Sequence, residues 1–327
     1  MGSDPLTAPE AFTDTLESVA ASVAARSFSA AYETAQRILR SRGSAAVHGA
    51  MGARETYALH AYSVLALLAM GMAREAVAEL ADLGPLDAPG LPVPFLLHYL
   101  AAVAPLQTDA KLAPERLYAL YWHCERERNA AAGEDAPATT QAEWDRRETL
   151  VLRTAAARHL ALREPQLAAM ALERVVALAP TDPRALTELG RVHYMLGCRD
   201  ECRALLAEAA RHAPPEGAAA AALNRALLLL ADGSDADALA QLQAQCSSSS
   251  RTSSALANNT AVCHMFCGEL DAALRVFRGA VDAAPAAVSD ATRSNMFILF
   301  ELTSSQPDVL KKQLLAQIQK AQSLASF

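Results

Sequence analysis

The sequence is poor in sheet-building residues, in cysteine and in runs of like charge, and each shortage excludes a class of protein. Aromatic residues make up only 5% of the 327 residues, and alanine supplies much of the 52% apolar content. Strands favour branched and aromatic side chains, whereas alanine faces suit closely packed helices. A compositional bias of the source genome would raise alanine as well. No convincing strand alternation is present. The chain carries 29 basic and 36 acidic residues, a net charge of −7, with no run of five basic residues. That balance lacks the electrostatic footprint of nucleic-acid binding. Apolar runs such as Ala226 to Ala231 fall far short of the roughly 20 residues a bilayer span needs, so no direct membrane insertion is expected. The opening residues MGSDPLTAPEAF lack the basic-then-apolar order of a secretory signal. Thr7 stands one place late for a myristoylation pattern. The six cysteines, Cys124, Cys198, Cys202, Cys246, Cys263 and Cys267, are too sparse for a disulfide framework, which suits a reducing, cytoplasmic compartment.

What is present is helical periodicity, from about Pro9 to Ser323, cut by Pro and Gly into about sixteen helices. The clearest unit runs from Asp182 to Pro214. Leu186, Leu189, Gly190 and His193 form one stripe, Gly197 breaks the helix, and Cys202, Leu206 and Ala209 form a second stripe. A small residue at 190 lets the second helix approach, and a glycine at 197 takes the left-handed backbone that ends a helix. Pro180 and Pro214 stand 34 residues apart, the period of the tetratricopeptide repeat (TPR). Ala168, Leu172 and Val175 keep the spacing one period earlier. Ala257, Ala261, His264, Gly268, Ala273, Phe277, Ala280 and Pro285 keep it later. Leu223, Asn224, Leu227, Ala238 and Leu242 form a looser unit, with about two extra residues at DGSDAD. Val64, Leu67, Gly71, Ala76, Leu80 and Leu83 repeat the pattern near the start.

The expected fold is all-α, a TPR-like α-solenoid in which helical hairpins wind into a right-handed superhelix. The expected division is a disordered N-terminus at 1–9, irregular TPR-like hairpins at 10–128 and a disordered loop at 129–141. Regular repeats at 142–287 and capping helices at 288–327 follow. Helices are expected over Phe12–Ala25, Phe28–Ser41, Pro94–Ala104, Pro114–Arg128, Ala142–His159, Asp290–Ser304 and Pro307–Ala325.

The late stretch ANNTAVCHMFCGELDAALRVFRGAVDAAP, followed by SDATRSNMFILFELTSSQPDVLKKQLLAQIQ, is more particular. It carries an asparagine pair (Asn258, Asn259), an Ala-Val-Cys run ending at Cys263, the residues Phe297, Leu302, Ser304 and Ser305, and a helix with Lys311, Lys312, Gln313, Leu314 and Leu315. VPFLLHYLAAVAP, from Val93 to Pro105, adds a Pro-Phe-led helix ahead of the long loop. In these features the chain, from roughly Phe28 to Gln317, resembles the TPR region of the subunit 12 family of the transport protein particle (TRAPP) complex. Members of that family usually carry a long acidic N-terminal region, whereas this sequence starts almost at the repeats. The resemblance implies a non-catalytic scaffold or adaptor in a vesicle tether. That complex promotes nucleotide exchange on a Rab GTPase, through other, smaller core subunits, in endoplasmic reticulum–Golgi transport and autophagy. It further implies a cytoplasmic chain peripheral to Golgi and endoplasmic reticulum–Golgi intermediate membranes. The partners would be the large accessory and small core subunits, with the Rab GTPase met only indirectly.

No residue is singled out as catalytic, and no cofactor or metal is expected. The chain shows no phosphate-binding loop or nucleophile elbow. Cys198/Cys202 and Cys263/Cys267 lie at helical spacing near His193 and His264, so a zinc site is conceivable. Buried thiols and core histidines with one ring nitrogen satisfied are the simpler reading. Asn258, Asn259 and Arg293 are the candidate partner-binding residues. Chaperone-binding TPR domains grip a C-terminal carboxylate with Lys, Asn and Arg from consecutive repeats, and Asn259 and Arg293 stand at two suitable spacings. Ala221, Arg225 and Ser289 stand where further grip residues are wanted, so the alternative of a chaperone cofactor is half supported. Asn259 bonding backbone at an inter-repeat turn is the other reading. DGSDADA lacks the Gly and terminal Glu of a calcium loop and reads as a solvated turn. Glu125 to Arg128 read as a solvated helical face. Trp122 and Trp144 are either core of the middle helices or an exposed partner anchor.

Overall fold

In the computed structural model of the protein, residues 16–43, 52–88, 91–107, 113–130, 138–213, 218–248 and 254–325 are described. Sixteen α-helices and no strand occur among them. The chain forms two compact units, Met1–Ala171 and Leu172–Phe327. The first holds α1 (Leu16–Ala24), α2 (Phe28–Gly43), α3 (Ala53–Ala69), α4 (Ala73–Asp82), α5 (Phe95–Val103), α6 (Ala113–Ala130) and α7 (Ala138–Ala161). The boundary falls within α8 (Pro165–Leu178). The second unit continues with α9 (Pro183–Leu196), α10 (Arg199–His212), α11 (Ala218–Ala231), α12 (Asp235–Ser248), α13 (Ser254–Phe266), α14 (Leu270–Ala283), α15 (Asp290–Thr303) and α16 (Pro307–Ala325).

Among the described residues, six hairpins reverse the chain in one way. The residue just past the first helix is left-handed: Gly71, Gly197, Gly233 and Gly268 at φ 75–79°, Arg26 at 58° and Arg163 at 63°. The next N–H then reaches back five residues to a helix carbonyl. Ser27 bonds Ser22, Met72 bonds Leu67, Glu164 bonds His159, Cys198 bonds His193, Ser234 bonds Leu229 and Glu269 bonds His264, all at 2.8–2.9 Å. These bonds satisfy carbonyls that the helix end leaves open. The second helix begins at the very next residue each time. DGSDADA is therefore such a turn, running into the first turn of α12.

Small residues set the packing distance. In the first unit Val19, Ala31, Ala35 and Leu59 form one buried cluster, and Leu117, Leu120, Cys124 and Val151 another. In the second, Ala238, Leu242, Leu256 and Cys263 join α11 to α13 through α12, and Phe277, Met296, Leu299 and Leu314 fill the last hairpins. Gly190 marks a close approach: a Cβ there would lie 3.0 Å from Leu206 Cδ2 and 3.1 Å from its Cγ.

Several boundaries differ from expectation. α6 runs to Ala130 and α7 starts at Ala138, so the ends of the loop expected at 129–141 are helical. Its middle, 131–137, lies outside the described residues, as do the expected disordered segment 1–9 and the start of the helix expected at Phe12. The helix over Pro94–Ala104 tightens into a 3-10 turn at Ala104–Gln107. Glu125–Arg128 is not uniformly solvated. Arg128 turns inward, 3.3 Å from the carboxylate of Glu148, which is fully buried on α7.

The Gly190 contact gives a direct test. Gly190→Ala is expected to destabilise the protein by about 1–3 kcal/mol, because Leu206 is locked in the core and must shift. Urea unfolding followed by circular dichroism measures this, and an unchanged midpoint would refute the close approach.

Candidate partner-binding surfaces

In the second unit, the first helices of successive hairpins present polar side chains in register. Asn224 of α11 donates through Nδ2 to Thr187 Oγ1 of α9 at 3.0 Å and accepts from Arg191 Nη2 at 3.2 Å. Asn295 Nδ2 of α15 donates to Asn258 Oδ1 of α13 at 3.1 Å, and Asn258 Nδ2 donates to Asn259 Oδ1 at 3.0 Å. The candidate residues thus separate. Asn258 and Asn259 are half-buried in mid-helix, and the carboxamide of Asn259 meets Asn258 rather than turn backbone. Arg293 is half-exposed in the first turn of α15 and pairs with Asp290 at 3.0 Å. The side chain that α15 brings to the asparagine pair is Asn295, which sequence spacing missed. Near this row Phe266, Ile298 and Leu302 are exposed on α13 and α15.

The cysteines and histidines serve the hairpins. Cys124, Cys202 and Cys263 are buried, and all six thiols are free. Burial, then Glu148, pushes the Cys124 thiol up to about 12, and burial, then Cys267, pushes Cys263 up to about 11. Among the described residues no three His, Cys, Asp or Glu side chains gather as a metal site requires. His264 Nδ1 meets Glu269 at 2.6 Å and His159 Nδ1 meets Glu164 at 2.8 Å, both pairs spanning the ends of the same turn bond. His193 stands in the equivalent place, with Cys198 where those two turns have glutamate, and its Nδ1 is buried with no hydrogen-bond partner.

The first unit contains a cleft of about 1040 Å³ between α4, the connector after it, α5 and α6, with Trp144 of α7 at one wall. Both tryptophans line it. Trp122 is 62% exposed and so is not part of the core. Trp144 packs edge-on to Phe95 at 6.4 Å and to His123 at 5.9 Å, under the Arg147 guanidinium at 4.5 Å. The rings of His98 and His123 lie 5.4 Å apart. Arg126 Nη2 lies 2.9 Å from His123 Nδ1, a hydrogen bond that exists only while Nδ1 carries no proton, and Glu127 Oε1 lies 3.9 Å from the same nitrogen. Burial holds both imidazoles below the usual histidine range. For His98 the neighbouring His123 lowers it further and Asp87 opposes; for His123 Glu127 opposes and Arg126 lowers it further. The cleft draws on residues from four helices that share no motif, so sequence spacing gave no signal for it.

No protein-family model matches the sequence, and no curated protein matches it. The fold is similar to that of a tetratricopeptide repeat protein from Parabacteroides merdae, 14% identical, with a TM-score of 0.60 over 93% of this chain and 97% of that one. It is also similar to an assembly chaperone of RpL4 (Acl4, residues 1–338), 13% identical, with a TM-score of 0.51 over 80% of this chain and 98% of that one. The chain has an all-α, TPR-like solenoid fold. No helix among the described residues is long and apolar enough to cross a membrane.

Two outcomes follow for the polar and thiol groups. Cys198→Glu should give His193 the partner its counterparts have and stabilise the protein by about 1 kcal/mol in urea unfolding; a loss of stability would contradict the equivalence. At about pH 8, native Cys124 and Cys263 should resist a disulfide-exchange reagent and react fully only on unfolding, because burial keeps them protonated. Mass-spectrometric mapping of the labelled thiols reads this out.

Proposed function

We propose that the protein is a non-catalytic scaffold that holds other proteins, and that it serves as a subunit of a TRAPP-type vesicle tether. The scaffold reading is carried by one observation. α9, α11, α13 and α15 set side chains in register along one face of the second unit, with Asn224 and Asn258 34 residues apart. A row of equivalent positions suits an extended or helical partner segment. The tether assignment is supported by the resemblance over Asn258 to Leu315. On this reading the chain is cytoplasmic and peripheral to Golgi membranes, contacts large accessory and small core subunits, and leaves Rab nucleotide exchange to the latter. The carboxylate grip has less support, since Arg293 already pairs with Asp290 and α11 offers Ala221 and Arg225 in place of Lys and Asn.

Affinity capture of the tagged full chain followed by mass spectrometry tests the assignment. Recovery of other tether subunits is the expected outcome. Recovery of heat-shock chaperones instead, lost on Arg293→Ala, would replace it with the chaperone-cofactor reading.

A further inference from the structure

We propose that the cleft of the first unit docks a carboxylate-bearing, partly apolar segment of a partner protein, and that proton uptake by His98 and His123 tightens the grip. This rests on the reading of the chain as a partner-holding scaffold, not on the tether assignment.

The cleft offers both halves of such a site. Its floor is apolar, with Leu80, Leu86 and Leu120 among its lining, and the exposed indole of Trp122 stands at its rim. An exposed tryptophan beside arginine is the composition of an interface anchor. Along α6, Arg116, His123 and Arg126 line the same cleft. The charged groups lining it are Asp87 on the connector and Arg116, Arg126 and Glu127 on α6, with Arg147 of α7 stacked on Trp144; α4 contributes only Val77, Leu80 and Ala81. Two lining arginines against two carboxylates leave the cleft balanced while both imidazoles are neutral.

Protonation changes this in two ways at once. Each imidazole that gains a proton adds a positive charge. In addition, a protonated His123 carries N–H at Nδ1 and can no longer accept from Arg126. The guanidinium, 72% exposed and held 3.5 Å from Glu127 through Nε, then has Nη2 open to another acceptor. A carboxylate can bridge the open Nη2 and the new imidazolium, a charge-assisted pair of bonds. The sign follows from linkage. In the free cleft, burial and the neighbouring ring favour neutral histidines. A bound carboxylate favours the charged form. The histidine pKa is therefore higher in the complex, so affinity is greatest below it and declines as pH rises through it.

The chain's two tryptophans both line this cleft, so intrinsic fluorescence of the full protein reports on it directly. The probe is a short, end-capped peptide of leucine and glutamate, with the leucine and glutamine analogue as control. The peptide should bind about tenfold more tightly near pH 6 than near pH 7.5, and the glutamine analogue should show no such dependence. His98→Gln with His123→Gln should flatten the pH dependence, and Arg126→Gln should weaken binding about tenfold at the lower pH. In the unmodified protein, NMR titration of the His98 and His123 ring protons should show both shifting to higher pH with peptide present. Equal binding of the glutamine analogue, equal binding of a single-stranded oligonucleotide, or histidine titrations unmoved by peptide would overturn the proposal. A failed capture of tether subunits leaves this titration intact, and a failed titration leaves that capture intact.

Discussion

The architecture depends on one backbone bond repeated six times: an N–H just beyond a helix end reaching the carbonyl five residues back across a left-handed residue. That bond closes the open end of one helix and fixes the start of the next with no residue between. Because the reversal is that tight, the two helices of a hairpin lie side by side, and neither can bury its apolar stripe except against the other and its neighbours. Close packing then selects small side chains at the contact, as with the buried alanines Ala31, Ala35 and Ala238 and with Gly190 under Leu206. The paired ends of the bond also bring two side chains together. Where these are His and Glu they form a second, polar closure; where they are Leu67 and Met72 the same place is apolar. Arg26 and Arg163 hold the left-handed position without a glycine's freedom, at a cost of about 1 kcal/mol each, so the geometry is imposed by the hairpin rather than by local preference.

Much of this was legible in the sequence, because the turn and the close approach both call for particular residues. Gly197 and Gly268 announced their turns, and the helices at Asp290 and Pro307 begin where Ser289 and Pro307 place them. The two turns made by arginine carry no glycine signal, and the break at Arg26 was legible only from the helix pattern that stops at Ala25 and resumes at Phe28. The candidate site was less legible. A strict 34-residue step from Asn259 lands on Arg293, yet the physical neighbour of the asparagine pair is Asn295, 37 residues beyond Asn258. Asn224 likewise meets Thr187 37 residues earlier, so side chains of neighbouring first helices touch at an offset of 37 although the repeat itself steps by 34. Repeat arithmetic finds the equivalent position in the next helix, not the side chain that touches it.

The two units hold different chemistry on similar helices. In the second, carboxamides and a hydroxyl bond one another across neighbouring helices, neutral groups whose interactions respond little to pH. In the first, imidazoles, guanidinia and carboxylates meet around an apolar floor, where burial and proximity make protonation a variable. One chain can thus offer a surface that recognises shape and hydrogen bonding and another that responds to charge.

The cleft exists because α6 is divided by its own period. Consecutive residues of a helix point about 100° apart, so a run such as Glu125-Arg126-Glu127-Arg128 cannot share one face. Leu117, Leu120 and Cys124 are buried, and Arg128 continues that inward stripe one turn later to meet Glu148. Arg116, His123 and Arg126 stand on the opposite side of that division and line the cleft. A guanidinium on the inward stripe is tolerable only with a buried carboxylate opposite, since an unpaired charge there would cost several kcal/mol. The ion pair therefore braces α6 against α7 at the level where Arg126 and His123 must keep their 2.9 Å contact. What looked like a uniform charged face is two arginines with separate tasks: Arg128 fixes the wall, and Arg126, held by His123 and Glu127, lines the cleft.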